Sequence, residues 1–134
     1  MTRYAADTHA FVWYLQTSPR LSETARMIFA DADMGKNEII VPSIVLVEMV
    51  YLAERKRIEF ALLKKAFDRL SPAPQNYRIA LLDIKIARAL QEIARDKIPE
   101  MPDRIIAATA KHLDIALVTR DEAITSSGVV NVVW

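Results

Sequence analysis

The chain contains no cysteine. Disulfides and cysteine-ligated zinc or iron are therefore excluded, and a reducing compartment is compatible. Glycine is nearly as scarce, with only Gly35 and Gly128 in 134 residues. They cannot supply a glycine-rich phosphate loop or a dinucleotide fingerprint. No uncharged stretch approaches the roughly 20 residues that a membrane helix requires. Asp7 interrupts any apolar run near the N-terminus, so no secretory signal is expected. An excess of one charge is also missing, with 18 Lys+Arg against 17 Asp+Glu. No global basic field points to nucleic acid, so any such site must be a local patch. The expectation is a soluble, cytoplasmic protein with no membrane partner.

What is present is apolar. Hydrophobic residues make up 52% of the chain, which argues against disorder. The length suits one domain, residues 1–134, with a sizeable core. Short β-prone runs alternate with helical patterns. Strands are expected over Arg3–Ala6, Glu38–Val41, Tyr77–Leu82, Ile115–Thr119 and Val129–Val133. Their continuous apolar character suits parallel strands covered on both faces. Helices are expected over Thr8–Gln16, Ser22–Met34, Ser43–Arg55, Glu59–Leu70, Asp83–Arg95 and Asp103–Leu113, with a short one after Asp121. In the helix from Asp103, residues Ile105, Ile106, Thr109, Ala110 and Leu113 share one face. Ser71–Asn76 ("SPAPQN") is the one clear break, joining two halves of a single domain. The alternation implies an α/β fold, a three-layer α/β/α sandwich around a central parallel sheet.

Ligands of such sheets bind outside the carboxyl ends of the strands. Asp7 follows the first strand, Asp121 follows the fourth, and Asp103 starts the helix leading into that fourth strand. Each has a plain structural reading, because Asp is a favoured helix N-cap. Asp83 shares that syntax and is assigned as a cap. Glu48 resists such a reading. It sits in "VPSIVLVEMVYLA", Val41 to Ala53, with Ile44, Val45, Tyr51 and Leu52 one turn away. An unpaired carboxylate buried there would be costly. The alternatives are a solvent-facing edge, an Arg partner, or a divalent cation shared with the other acids. Clustered carboxylates repel one another without a cation, and oxygen-only ligands suit Mg²⁺ or Mn²⁺.

The segments "YAADTHAFVW", "VPSIVLVEM", "IPEMPDRIIAATA" and "LVTRDEAI", in this order, resemble the motif blocks of PIN-domain ribonucleases. They are most similar to VapC-type toxins of toxin–antitoxin pairs, and the resemblance covers nearly the whole chain. It implies a PIN-like fold with a five-stranded parallel sheet, an acidic pocket holding Mg²⁺ or Mn²⁺, and endoribonuclease cleavage of an RNA substrate. By motif, Asp7, Glu48, Asp103 and Asp121 become the catalytic and metal-binding residues, and Thr119 matches the hydroxyl residue of the last block. The resemblance also implies a cognate antitoxin protein whose C-terminal segment blocks the pocket. Ala123 stands where many members carry a further acid, which weighs against a second tightly held metal. Glu100 and Glu122 lie near the motifs without being assigned as ligands.

Other residues receive secondary readings. Arg104 and Arg120 flank two of the acids and are candidates for steering the RNA backbone. Arg55, Lys56 and Arg57 fit a solvated helix end. His9 is not assigned as a general base and need not face the pocket, while Trp13 and Tyr14 are assigned to core or interface. Tyr51, Leu52, Phe60 and Leu63 are candidates for receiving a partner peptide or a second copy in a homodimer. The competing functions are a non-catalytic PIN-like module binding RNA or protein and a nuclease directed at DNA. A phosphotransfer receiver is disfavoured because Thr8 and His9, not a paired acid, follow Asp7.

Overall fold

The computed structural model describes residues 1–71 and 76–134; residues 72–75, within the expected break Ser71–Asn76, lie outside the described residues. The elements run β1 (Thr2–Ala6), α1 (Thr8–Gln16), α2 (Glu23–Asp33), β2 (Asn37–Pro42), α3 (Ser43–Glu54) and α4 (Phe60–Leu70). They continue with β3 (Tyr77–Ala80), α5 (Ile84–Gln91), α6 (Met101–Leu113), β4 (Ala116–Val118), α7 (Glu122–Ser127) and β5 (Val132–Val133). Among the described residues the sheet has five strands, in the order β3-β2-β1-β4-β5. All four pairings are parallel.

Burial of consecutive strand residues shows that both faces are covered. Ala5 and Ala6 in β1, Ile39 to Val41 in β2, and Leu117 and Val118 in β4 are all buried. Neighbouring strand residues point to opposite faces, so each run needs a layer on either side. The chain steps from β1 outward to β2 and β3, then returns to place β4 on the other side of β1. Right-handed crossovers in opposite directions send their helices to opposite faces. The β1/β4 boundary is thus the topological switch point, where a ligand crevice forms at the carboxyl ends.

Several element ends differ from the sequence reading for local reasons. β3 stops at Ala80, which pairs with Pro42 at the end of β2. The Leu82 N–H instead donates to Ser43 Oγ at 3.1 Å. β5 shrinks to two residues opposite Leu117 and Val118, because β4 itself is short. α5 closes early, with the Glu92 and Ile93 amides turning back to the Ala89 and Leu90 carbonyls. α6 begins at Met101 rather than Asp103, and Pro102 occupies its first turn, where a missing N–H costs nothing.

Asp33 clamps four elements together. It accepts from the hydroxyl of Tyr14, from the Arg69 guanidinium, and from the Tyr77 hydroxyl at 2.9 Å. The Arg69 guanidinium lies 4.8 Å from the Tyr77 ring centroid and 5.7 Å from that of Tyr14. Tyr14 also stacks on Phe29 with 4.7 Å between ring centroids. Tyr14 is therefore a packing residue, in line with its assignment.

Candidate active site

The carboxylates gather at the switch point. A pocket of about 450 Å³ has Asp7, Asp103, Asp121 and Glu122 in its lining. The aromatic and cationic residues His9, Trp13, Arg20, Arg120 and Trp134 line it too. A larger cavity of about 670 Å³ lies elsewhere, among α1, α2 and α4. Among the described residues its only acid, Glu23, is paired with Arg26, so no carboxylate cluster lines it there.

Asp7 is 6% exposed and caps α1. Its Oδ1 accepts from the Ala10 amide at 2.8 Å, and its Oδ2 accepts from the Thr119 hydroxyl. Thr119, fully buried at the end of β4, also accepts from the Asp121 amide at 2.9 Å. One hydroxyl thus joins the ends of the two strands that flank the switch point. Asp121 caps α7, with its Oδ2 accepting from the Ile124 amide at 2.9 Å. The capping reading is correct for Asp7, Asp121 and Asp83, the last accepting from the Ile86 amide at 3.0 Å. It fails for Asp103, because Glu100 occupies the N-cap of α6 and Asp103 lies inside the first turn. No helix-capping need explains that carboxylate.

Glu48 stands behind the pocket lining and not in it. Its Oε1 accepts from Thr8 Oγ1 at 2.5 Å, so a buried hydroxyl separates α3 from the start of α1. Among the described residues no Arg or Lys pairs with Asp7, Glu48, Asp103 or Asp121. That removes the Arg-partner alternative for Glu48 there. α3 is also less uniformly core than its sequence suggests, with Val47 49% and Tyr51 57% exposed.

Electrostatic crowding marks Asp103. Its pKa is pushed up to about 7, chiefly by loss of water around it and then by the charges of Asp121, Glu48, Asp7 and Glu100. Glu100 therefore belongs to the field of the site. Burial also raises Asp7, against the opposing pull of the Thr119 hydroxyl, the Ala10 amide and His9. Four mutually repelling acids, paired with no Arg or Lys among the described residues and all offering oxygen, have the chemistry of a hard divalent-cation site. As the side chains stand, no three of them among the described residues converge closely enough to chelate an ion. The donor set fits such an ion, but its grip would need side-chain movement.

The flanking cations divide. Arg104 does not steer a ligand, because its guanidinium donates to the carbonyls of Leu90 and Ile93 at 3.1 and 2.7 Å and so caps the end of α5. Arg120 lies 4.7 Å over the Trp13 ring and forms no ion pair among the described residues. Arg55 rests near Tyr51 at the end of α3, as a solvated terminus does. His9, not assigned as a general base, lines the pocket, with its ring 5.6 Å from that of Trp13. Trp13 is core, as assigned, yet also forms part of the pocket. Sequence reasoning missed Thr8 as a partner of Glu48, and it missed Arg20 and Trp134 at the site. The i,i+4 spacing of His9 and Trp13 was a usable signal; Arg20 and Trp134 carried none.

These features define a three-layer α/β protein with an acidic pocket at its switch point. The chain belongs to the PIN domain family, whose model matches residues 4–127. Ribonuclease VapC22 of Mycobacterium tuberculosis is 28% identical over 126 residues, covering 94% of this chain and 92% of that protein. VapBC2 of Rickettsia felis, bound to a promoter DNA fragment, superposes with a TM-score of 0.73 at 19% identity, covering 98% of each chain. A toxin–antitoxin complex of Klebsiella pneumoniae gives 0.68 at 19% identity, covering 98% of this chain and 96% of that one. The likeness to the two solved structures concerns the fold.

Proposed function

We propose that residues 1–134 form one nuclease domain, an endoribonuclease that hydrolyses RNA phosphodiester bonds and is the toxin of a toxin–antitoxin pair. The observation that carries this reading is the gathering of Asp7, Asp103 and Asp121 around one pocket at the switch point, with no Arg or Lys paired to them among the described residues. Family membership and the ribonuclease named among the relatives support the same chemistry. Asp7, Asp103 and Asp121 would hold Mg²⁺ or Mn²⁺, with Glu48 completing the site through the Thr8 side. Such an ion, when bound, supplies charge neutralisation at a phosphate oxygen and a more acidic water.

The chain's own residues do the rest. Thr119 fixes Asp7 and Asp121 relative to each other through its two hydrogen bonds. Asp103, buried and surrounded by the other acids, is the carboxylate whose charge a bound cation would most relieve. Arg20 and Arg120 offset the repulsion between an acidic pocket and an anionic backbone.

The cognate antitoxin would place an Arg or Lys among the same carboxylates, where charge-assisted hydrogen bonds replace the ion. The VapBC and toxin–antitoxin complexes among the structural relatives support a partner of this kind. The protein would act in the cytoplasm as a homodimer; no helix among the described residues is long and apolar enough to cross a membrane. A cleavage assay on defined single-stranded RNAs, with Mg²⁺, with Mn²⁺ and with chelator, tests the proposal. Ion-dependent endonucleolytic products that vanish in Asp7→Asn are expected. Their absence from the wild type on every RNA would overturn the reading.

A further inference from the structure

Beside the carboxylates the pocket holds a second group of residues, aromatic and cationic. Trp13 is its centre. The His9 ring lies 5.6 Å from it, tilted by 52°, and the Trp134 ring packs edge-on at 6.0 Å. The Arg120 guanidinium lies over the same ring at 4.7 Å. Trp13 itself is only 8% exposed, so it is a support and not a contact surface. His9 is exposed and Trp134 is half-buried, and both line the pocket together with Arg20 and Arg120. Arg20 and Arg120 form no ion pair among the described residues.

We propose that this cluster is a base-recognition subsite, in which an unpaired nucleobase next to the scissile phosphate stacks on His9 and Trp134. The inference rests on the ribonuclease reading above and names how the same pocket takes its substrate. Single-stranded nucleic acid is bound by pairing a cationic track for phosphates with aromatic faces for bases. Both halves are present here beside the acids. Arg120 takes the phosphate, because its guanidinium is held 4.7 Å from the Trp13 ring centroid and is paired with no carboxylate among the described residues. Trp13 is a positioning residue that holds His9, Arg120 and Trp134 at one place. A duplex could not present its bases to this cluster, so the subsite selects unpaired RNA.

The chain's only tryptophans are Trp13 and Trp134, so emission reports on this cluster directly. The test uses the full chain carrying Asp7→Asn, with Mg²⁺ present, so that RNA binds without turnover. Mixed-sequence oligoribonucleotides are compared with abasic ribose-phosphate oligomers of equal length. Base-bearing RNA should quench the emission and bind roughly tenfold tighter than the abasic chain. His9→Ala, an exposed change, should reduce that ratio, and adding Trp134→Ala should bring it near one. Should Trp134→Ala unfold the protein, His9→Ala alone still decides. Arg120→Ala should weaken both ligands alike and lower the salt slope by about one. Trp13→Leu should lose the base preference and Trp13→Phe should retain it, at matched thermal stability.

Equal binding of both ligands, or a ratio untouched by His9→Ala, overturns the subsite. The wild-type chain, assayed for cleavage in parallel, separates the two claims. Cleavage without base preference leaves the ribonuclease and removes the subsite. Base-dependent quenching without any cleavage does the reverse, and failure of both removes both.

Discussion

The hydroxyl of Thr8 donates to Glu48 Oε1 at 2.5 Å across 40 residues of chain. This bond explains why a carboxylate is tolerated inside the apolar helix α3. Thr8 is 3% exposed, so its hydroxyl has few alternatives, and Glu48 gains a fixed partner at the start of α1. Thr8→Val keeps the volume and removes the donor. It should cost about 1 kcal/mol, below the usual range for a bond to a charged group because Glu48 is half-exposed. Thr8→Ser should recover most of the loss. Urea unfolding of the three proteins without divalent ions checks this, and equal midpoints would show that the bond contributes nothing.

Asp7→Asn and Asp103→Asn should both abolish RNA cleavage while leaving a folded protein. Asn caps a helix as well as Asp does, so α1 keeps its start in the first variant. Asp103 caps nothing, so the second variant loses no helix-end bond. Losing one ligand removes several kcal/mol of transition-state stabilisation. That corresponds to a drop of roughly a thousandfold in rate. Circular dichroism and cleavage rates on the same preparations decide it. Full activity in either folded variant removes that residue from the site.

Without metal, the protein should become more stable as pH falls from about 8 toward 5. Asp103 is raised from 3.8 to about 7 in the folded state, so between those values the folded chain binds a proton that the unfolded chain has released. Stability then falls as pH rises through that window, opposite to the usual carboxylate. Asp7 is raised as well and acts in the same direction. Thermal melts in chelator should show the melting temperature climbing on acidification, and Asp103→Asn should flatten the climb. Adding Mn²⁺ at pH 8 should raise the wild type more than Asp103→Asn or Glu48→Gln. A flat profile in the wild type would show that Asp103 is not crowded.

The sheet was legible because its central strands are buried on both faces and so appear as unbroken apolar runs such as Ile39 to Val41. The site acids were legible because they follow strands, and the switch point collects strand ends. The ends of β3, β5 and α5 were not, since they depend on what pairs with them: Ser43 Oγ takes the Leu82 amide, and Arg104 takes the α5 carbonyls. That second contact is also why Arg104 was misread as a backbone-steering residue. Trp134 and Trp13 are far apart in sequence, and only tertiary packing brings their rings together.

The proposed homodimer would use a specific apolar surface. On α3, Val47 and Tyr51 are one turn apart and 49% and 57% exposed. The hydrogen bond from the Leu82 amide to Ser43 Oγ brings the turn after β3 beside the start of that helix. This turn carries Leu81 and Leu82, 71% and 48% exposed, and leads into Ile84 at 65%. So many large apolar side chains around one turn are unusual on a monomer and suit an interface between copies. Leu63, by contrast, is buried and can receive nothing, while Phe60 on α4 is 62% exposed and remains available for a separate peptide partner. Leu81→Asp with Ile84→Asp should convert a dimer into a monomer, weakening association by at least about a hundredfold if each side chain loses about 1.5 kcal/mol of burial. Phe60→Asp should leave the dimer intact. Sedimentation velocity at tens of micromolar separates these outcomes. A wild type that stays monomeric there rules out the homodimer, and a dimer that survives the double change places its interface elsewhere.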